Sequence, residues 1–196
     1  MRKTVVAFLA LFLLSVCSKK ETNFQQELTS DTSVSSDNRT IVKDFPMINQ
    51  KPISSDLLSK IFPESFGNLK LDKVNKGKIN YSTFAINTAS GEYVSSLGLV
   101  VIYIYDYVSF SNLPEHLQNL YNLKPGKDVH LFKNGIGMFS SDEISNANRL
   151  DLIYYGRFYI KIEAVNYPNF RETAMDLLHN LNLAFLDNLI KEIDNE

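Results

Sequence analysis

The feature that most constrains this chain is an apolar run, Gly98–Val108, that stays apolar on both of its alternating sides until Asp106. In an extended conformation successive side chains point to opposite faces. One side would carry Leu99, Val101, Tyr103 and Tyr105, and the other Val100, Ile102 and Ile104. Strands buried on both faces have this pattern. We therefore predict a strand in the middle of a sheet, covered on both sides or nearly so.

The first 16 residues have the pattern of an export signal. Arg2 and Lys3 precede a run over residues 4–16 that has almost no polar side chain. A basic start and a short apolar core are typical of a signal peptide. The run has 13 residues, whereas a membrane-spanning helix needs about 20. We predict a signal peptide at 1–16, with a permanent membrane span as the alternative.

The apolar run ends in Leu14-Ser15-Val16-Cys17. This ending resembles the lipobox of bacterial lipoproteins, although Val16 stands where that family usually has Gly, Ala or Ser. The resemblance implies that Cys17 is acylated, becomes the new N-terminus and anchors the protein in the cell envelope. In that family, a serine after the cysteine usually accompanies sorting to the outer membrane. The alternative is a chance cysteine beside an ordinary cleavage site.

The composition after the signal peptide predicts a tether followed by one domain. Residues 17–44 are mostly polar, with too few apolar side chains to offset the entropy lost on folding. Residues 45–196 are long enough for a single globular core. Without Arg2 and Lys3 the chain has 18 basic and 22 acidic residues, a net charge of −4. This acidic balance argues against nucleic acid as a partner.

Periodicity and turn residues predict an α+β fold, an antiparallel sheet with the C-terminal helices packed on one face. In the first half we expect a helix at Asp56–Phe62, strands at Leu69–Val74 and Ile79–Asn87 around a turn at 75–78, a turn at Ser90-Gly91, and a helix from Leu113 to Tyr121. In the second half we expect a hairpin of Val129–Phe132 and Ile136–Phe139 around Asn134-Gly135, a polar loop at Ser140–Arg149, strands at Leu150–Tyr155 and Phe158–Ala164, and helices from Asn166 onward.

The end of the domain, Gly156-Arg157-Phe158-x-Ile-x-Ile, is followed by an amphipathic helix and Leu181-x-Leu183. It is similar to a group of uncharacterised bacterial envelope proteins, over roughly residues 57–190. This resemblance implies a shared fold and no known activity.

No catalytic motif or cofactor motif is present in the sequence. The histidines His116, His130 and His179 are isolated, so we predict no metal site. Asp106 ends the apolar strand on the side of Ile102. A buried carboxylate needs a hydrogen-bond donor. Three roles are therefore open for Asp106: it caps the next loop, it pairs with Arg157, or it belongs to a ligand site.

The tyrosines, Tyr105 among them, suit a ligand groove or partner surface, and equally the outer face of a sheet. We therefore expect a lipid-anchored envelope protein with a non-catalytic role, binding an envelope protein or a glycan. The alternatives are an envelope hydrolase or glycan-processing enzyme with a site not local in sequence, and a structural or assembly factor of the envelope.

The lipoprotein hypothesis predicts that Cys17→Ser abolishes lipidation and moves the protein to the soluble envelope fraction. Metabolic labelling with an alkyne fatty acid measures this directly. Equal labelling of the wild type and the variant would rule the hypothesis out.

Overall fold

The structure, a computed structural model, describes residues 51–82 and 84–194. The predicted signal peptide, Cys17 and the predicted tether lie outside these residues.

Eight strands and four α-helices make up the described fold. The helices are α1 (Ser55–Leu58), α2 (Glu115–Gln118), α3 (Phe170–Asn180) and α4 (Leu183–Asp194). The strands are β1 (Ser65–Phe66), β2 (Leu69–Asn80), β3 (Ala85–Ser95), β4 (Gly98–Asp106), β5 (Val129–Phe132), β6 (Gly135–Asp142), β7 (Ala147–Tyr154) and β8 (Phe158–Val165). Short 3₁₀ turns lie at Ser59–Ile61, Phe110–Asn112 and Asn119–Asn122.

All the strands join in one antiparallel sheet with the order β1-β2-β3-β4-β8-β7-β6-β5. Two meanders, β1–β4 and β5–β8, therefore meet at the β4–β8 pair. The segment between Asp106 and Val129 crosses one face of the sheet to reach the far edge. The described chain therefore has an α+β fold, an antiparallel sheet with helices packed on it, and this confirms the predicted fold class.

The first face of the sheet carries the larger core. Val100, Ile102 and Ile104 of β4 are fully buried there. The stripe predicted for the C-terminal helices packs against this face through Ala174, Leu177 and other apolar residues of α3 and α4. Helix α1 packs on the same face, with Leu58 fully buried.

The second face is only partly covered, which corrects the expectation of two covered faces. The crossing segment places Leu113, Leu117 and Leu120 over one part of it. Tyr105 of β4 packs against the edge of this cluster and is partly buried, as is Tyr103, whereas Val101 is buried. The strand is central in the sheet, but its second face is covered over only part of its length.

The prediction of a turn at 75–78 is wrong, because β2 continues through these residues to Asn80. The chain turns instead between Asn80 and Ala85. Strand β3 likewise runs through Ser90-Gly91. Cross-strand contacts override the local turn signals: the Asn75 amide donates to Glu92 at 2.9 Å. Gly91 serves close packing, since an added Cβ would lie 3.1–3.2 Å from side chains of neighbouring residues.

The polar loop predicted at Ser140–Arg149 is shorter than expected. Strand β6 extends to Asp142 and β7 begins at Ala147, so the turn comprises only the four residues between them. Polar side chains at the end of a sheet do not prevent backbone pairing. The two helices predicted in the first half also end early, each continuing as a 3₁₀ turn. The Asn134-Gly135 hairpin is confirmed.

Two isoleucines provide a matched test of this architecture. Ile102 is fully buried in β4, whereas Ile144, in the β6–β7 turn, is 97% exposed. We expect Ile102→Ala to lower the free energy of unfolding by about 2–5 kcal/mol through lost burial and a residual cavity. Ile144→Ala should change it by less than about 0.5 kcal/mol. Urea titrations measure both values, and similar values for the two variants would contradict the central position of β4.

Candidate functional site

A buried ion pair joins the end of β4 to the β7–β8 turn. The Arg157 Nε and Nη2 atoms donate to the two carboxylate oxygens of Asp106, each at 2.7 Å. Both side chains are buried, with exposed fractions of 1% for Arg157 and 0% for Asp106. The bidentate geometry is the strong form of this interaction.

The same carboxylate also binds two backbone N–H groups. Ile53 donates to it at 2.7 Å and Val108 at 2.9 Å. Arg157 in turn donates to the Lys51 carbonyl oxygen at 2.9 Å. The pair therefore attaches the segment at Lys51–Ile53 to the sheet, and it fixes Val108 in a left-handed conformation, with φ of 69°, that a β-branched residue rarely adopts.

Asp106 thus caps the next loop and also pairs with Arg157, which were two of the three roles left open by the sequence. Neither side chain reaches a ligand from solvent in this arrangement, because both are enclosed. Tyr105, the third candidate, lies on the opposite face of the sheet from Asp106. The structure therefore brings two of the three candidate residues together and leaves Tyr105 in a separate surface.

That surface lies on the second face, beside the part that the crossing segment covers. We call it the tyrosine face, and it comprises Tyr103, Tyr105, Arg149, Asp151, Tyr159, Lys161 and Glu163 on the three neighbouring strands β4, β8 and β7. Strand alternation places these side chains together, because Tyr103 pairs with Lys161 and Tyr105 with Tyr159 in the register.

The rings of the tyrosine face are stacked. Tyr105 and Tyr159 have centroids 5.4 Å apart and planes inclined by 19°. Tyr103 lies at 6.3 Å from Tyr105 in a similar orientation. Two rings lying edge to edge in one plane could not approach to 5.4 Å, so Tyr105 and Tyr159 overlap. Part of their ring surface is therefore already occupied within the protein.

The charges of the tyrosine face are paired with one another. Arg149 Nε and Asp151 Oδ2 lie 2.8 Å apart, and the Tyr159 hydroxyl donates to the other oxygen of that carboxylate. Lys161 Nζ lies 2.9 Å from Glu163 and 4.2 Å from the centroid of the Tyr103 ring. Two basic and two acidic side chains therefore give this surface no net charge.

Partial burial raises the pKa values of the tyrosines. Burial raises the pKa of Tyr105 to about 12, with smaller contributions from Glu163 and Tyr81. The pKa of Tyr103 is raised further, first by burial and then by the negative charge of Glu163. For Tyr159, burial is again the first cause and Asp151 the second. These hydroxyls therefore remain neutral hydrogen-bonding groups.

Two depressions of the described chain are open to solvent. One has a volume of about 410 Å³ and is lined by residues of β6, β7 and the start of α3. No three His, Cys, Asp or Glu side chains among residues 51–82 and 84–194 are placed to hold a metal ion. Within the same ranges, no helix is long and apolar enough to cross a bilayer.

Sequence reasoning missed most of the tyrosine face. The alternation of Tyr159, Lys161 and Glu163 in the sequence indicates an outward face of β8. The predicted polar loop at Ser140–Arg149, however, includes Arg149, and no local pattern gives Asp151 a partner. The missing signal was the register between β7 and β8, which pairs Asp151 with Lys161. A strand prediction extended back to Ala147 would have placed Arg149 and Asp151 on that face.

Comparison of the chain with protein-family models, curated proteins and solved structures finds no significant match in any of the three.

The buried pair predicts a large stability loss on removal of one charge. Asp106→Asn leaves the Arg157 guanidinium buried beside a neutral amide, and we expect it to lower the free energy of unfolding by about 3–5 kcal/mol. Asp56→Asn is the matched control, since Asp56 pairs with Lys76 at the surface and its loss should leave the urea midpoint unchanged. Equal shifts of the midpoint in the two variants would contradict the structural role of the pair.

The tyrosine pKa values predict a loss of stability at alkaline pH. A group whose pKa is raised on folding stabilises the protein fully below its unfolded pKa, about 10 for tyrosine, and that contribution is lost as the pH rises through the folded pKa. Stability should therefore fall between about pH 10 and pH 12, the folded pKa of Tyr105 and of Tyr107. Tyrosinate absorbance followed with far-ultraviolet circular dichroism measures this. Ionisation of all tyrosines near pH 10 in the folded protein would contradict the burial.

Proposed function

We propose that this chain is a lipid-anchored protein of the bacterial cell envelope, held at Cys17 in the outer membrane, and that its tyrosine face binds another envelope protein. The anchor rests on the signal peptide and the lipobox resemblance in the sequence. The binding role rests on the tyrosine face, a half-exposed aromatic surface in the centre of the sheet.

The composition of the tyrosine face favours a protein partner. Tyrosine and arginine are both enriched at protein interfaces. A tyrosine ring with its polar tip contributes contact area and a hydrogen bond at low entropic cost. Tyr103, Tyr105 and Tyr159 are already ordered by stacking. Less side-chain entropy is therefore lost when a partner binds.

The charge balance of this surface supports the same choice. Arg149 and Asp151 neutralise each other, as do Lys161 and Glu163. A surface without net charge has no long-range attraction for a polyanion such as a charged glycan or nucleic acid. It suits a partner surface that is also aromatic and of mixed polarity.

The hydrolase alternative has less support. Such an enzyme would need a pocket that gathers Asp106 with a second acid or a histidine. Asp106 is instead enclosed and bonded to Arg157 and two backbone N–H groups. A carboxylate held in this way has a structural task.

Site-specific photocrosslinking in the native envelope tests the proposal. A benzophenone amino acid at position 103, in the full-length lipidated protein, should give adducts with a discrete envelope protein. The same amino acid at position 144, which is exposed in the β6–β7 turn outside the tyrosine face, is the control and should give none of that adduct. Identical adducts from both positions, or only glycan adducts from position 103, would contradict a protein partner at the tyrosine face.

A substitution adds an independent test. Tyr103→Ala removes a ring from the β4 side of the surface and should weaken the binding of the crosslinked partner about tenfold or more, as hot-spot truncations do. Ile144→Ala should leave that affinity unchanged. The measurement is the affinity of the purified partner for each variant, with circular dichroism to establish that both are folded.

A further inference from the structure

One of the open depressions of the described chain lies on the opposite face of the sheet from the tyrosine face. It is formed where β6 and β7 meet the start of α3 and has a volume of about 410 Å³. The aromatic rings of Phe139, Tyr167 and Phe170 contribute its apolar lining, and each is mostly covered by its neighbours. A volume of this size falls within the range of small-ligand sites.

The polar side chains around these rings have unused hydrogen-bonding capacity. Ser141 and Asn148 are directly opposite each other in the β6–β7 register. Asn169 precedes α3 and also lines the depression. None of these three side chains has a hydrogen-bond partner among the described residues. An amide side chain offers two donors and an acceptor, and a hydroxyl offers one donor with acceptor capacity, so several groups remain available to a ligand.

The two charged residues at the rim neutralise each other. Arg171 donates to Asp128 and to the Lys127 carbonyl oxygen. Its guanidinium carbon also lies 4.4 Å from the centroid of the Phe139 ring, which holds it against the apolar lining. The depression therefore presents solvent-accessible polar groups beside a small aromatic area, with no net charge.

We propose that this depression binds a neutral saccharide. A sugar ring has hydroxyls around its edge, which would meet Ser141, Asn148 and Asn169, and C–H faces that would contact the aromatic lining. A charged ligand would find no unpaired counter-charge at the rim. The single lining carboxylate, Asp128, is bonded to Arg171, whereas glycoside hydrolysis generally uses two carboxyl groups. The site therefore holds a glycan without cleaving it.

Saturation-transfer NMR on the full-length lipidated chain in nanodiscs tests this proposal. The probes are two neutral trisaccharides, chitotriose and maltotriose, and one anionic trisaccharide, tri-galacturonic acid. We expect saturation transfer to at least one neutral trisaccharide and weaker or no transfer to the anionic one. Transfer to chitotriose alone would indicate an acetamido sugar as the ligand, and transfer to both would indicate recognition of the ring and its hydroxyls. The absence of transfer to both neutral probes, or a preference for the anionic probe, would overturn the proposal.

Two alanine variants locate the binding. Asn148→Ala removes an uncommitted amide from the depression and should weaken the affinity about fivefold, the effect of losing about one net hydrogen bond. Asn188→Ala removes an exposed amide on α4 and should leave it unchanged. Equal affinities for these two variants would overturn the assignment. Tyr103→Ala, on the other face, should retain sugar binding, which separates this proposal from the one for the tyrosine face.

Discussion

The buried pair of Asp106 and Arg157 is the interaction on which the described architecture depends. Transferring two charges from water to the interior costs several kcal/mol for each, and the pair is stabilising only if further hydrogen bonds satisfy the remaining polar atoms. Asp106 accepts two bonds from Arg157 and two from backbone N–H groups. The guanidinium also lies 5.2 Å from the Phe158 ring centroid, but its Nη1 atom is buried without a hydrogen-bond partner among the described residues. These contacts join the two meanders where the register pairs Asp106 with Phe158.

The sequence determined the buried half of this fold more clearly than the exposed half. The apolar run Gly98–Val108, the clean alternation in β8 and the stripe on α3 each require a partner surface, so their placement could be predicted. Strands β2 and β3 were divided wrongly, because Asn75, Gly77 and Gly91 are turn-forming residues in isolation. Their cross-strand contacts exist only in the folded sheet, and no local pattern contains them.

The candidate surfaces were harder to predict for the same physical reason. Asp106 and Arg157 are separated by 51 positions, and only the juxtaposition of the two meanders brings them together. The tyrosine face needs the register of three strands, and the depression needs the packing of α3 against β6 and β7. The sequence does contain the residue types, a tyrosine-rich strand and a polar stretch around Ser140–Arg149, but tertiary packing decides which of them face solvent together.

The ion pair also determines where the two proposed surfaces can act. Lys51 and Ile53 are bonded to the pair, so the chain enters the described fold at the end of the sheet where β4 finishes. The depression lies toward the opposite end of the sheet. Its residues Ser141 and Asn148 pair with each other there, and the next pair, Asp142 and Ala147, flanks the β6–β7 turn. The tyrosine face occupies the middle of the other side. The point of entry is therefore close to Tyr105, the neighbour of Asp106 on the tyrosine face, and remote from the depression. A protein partner and a glycan could bind at the same time, because the sheet separates the two surfaces.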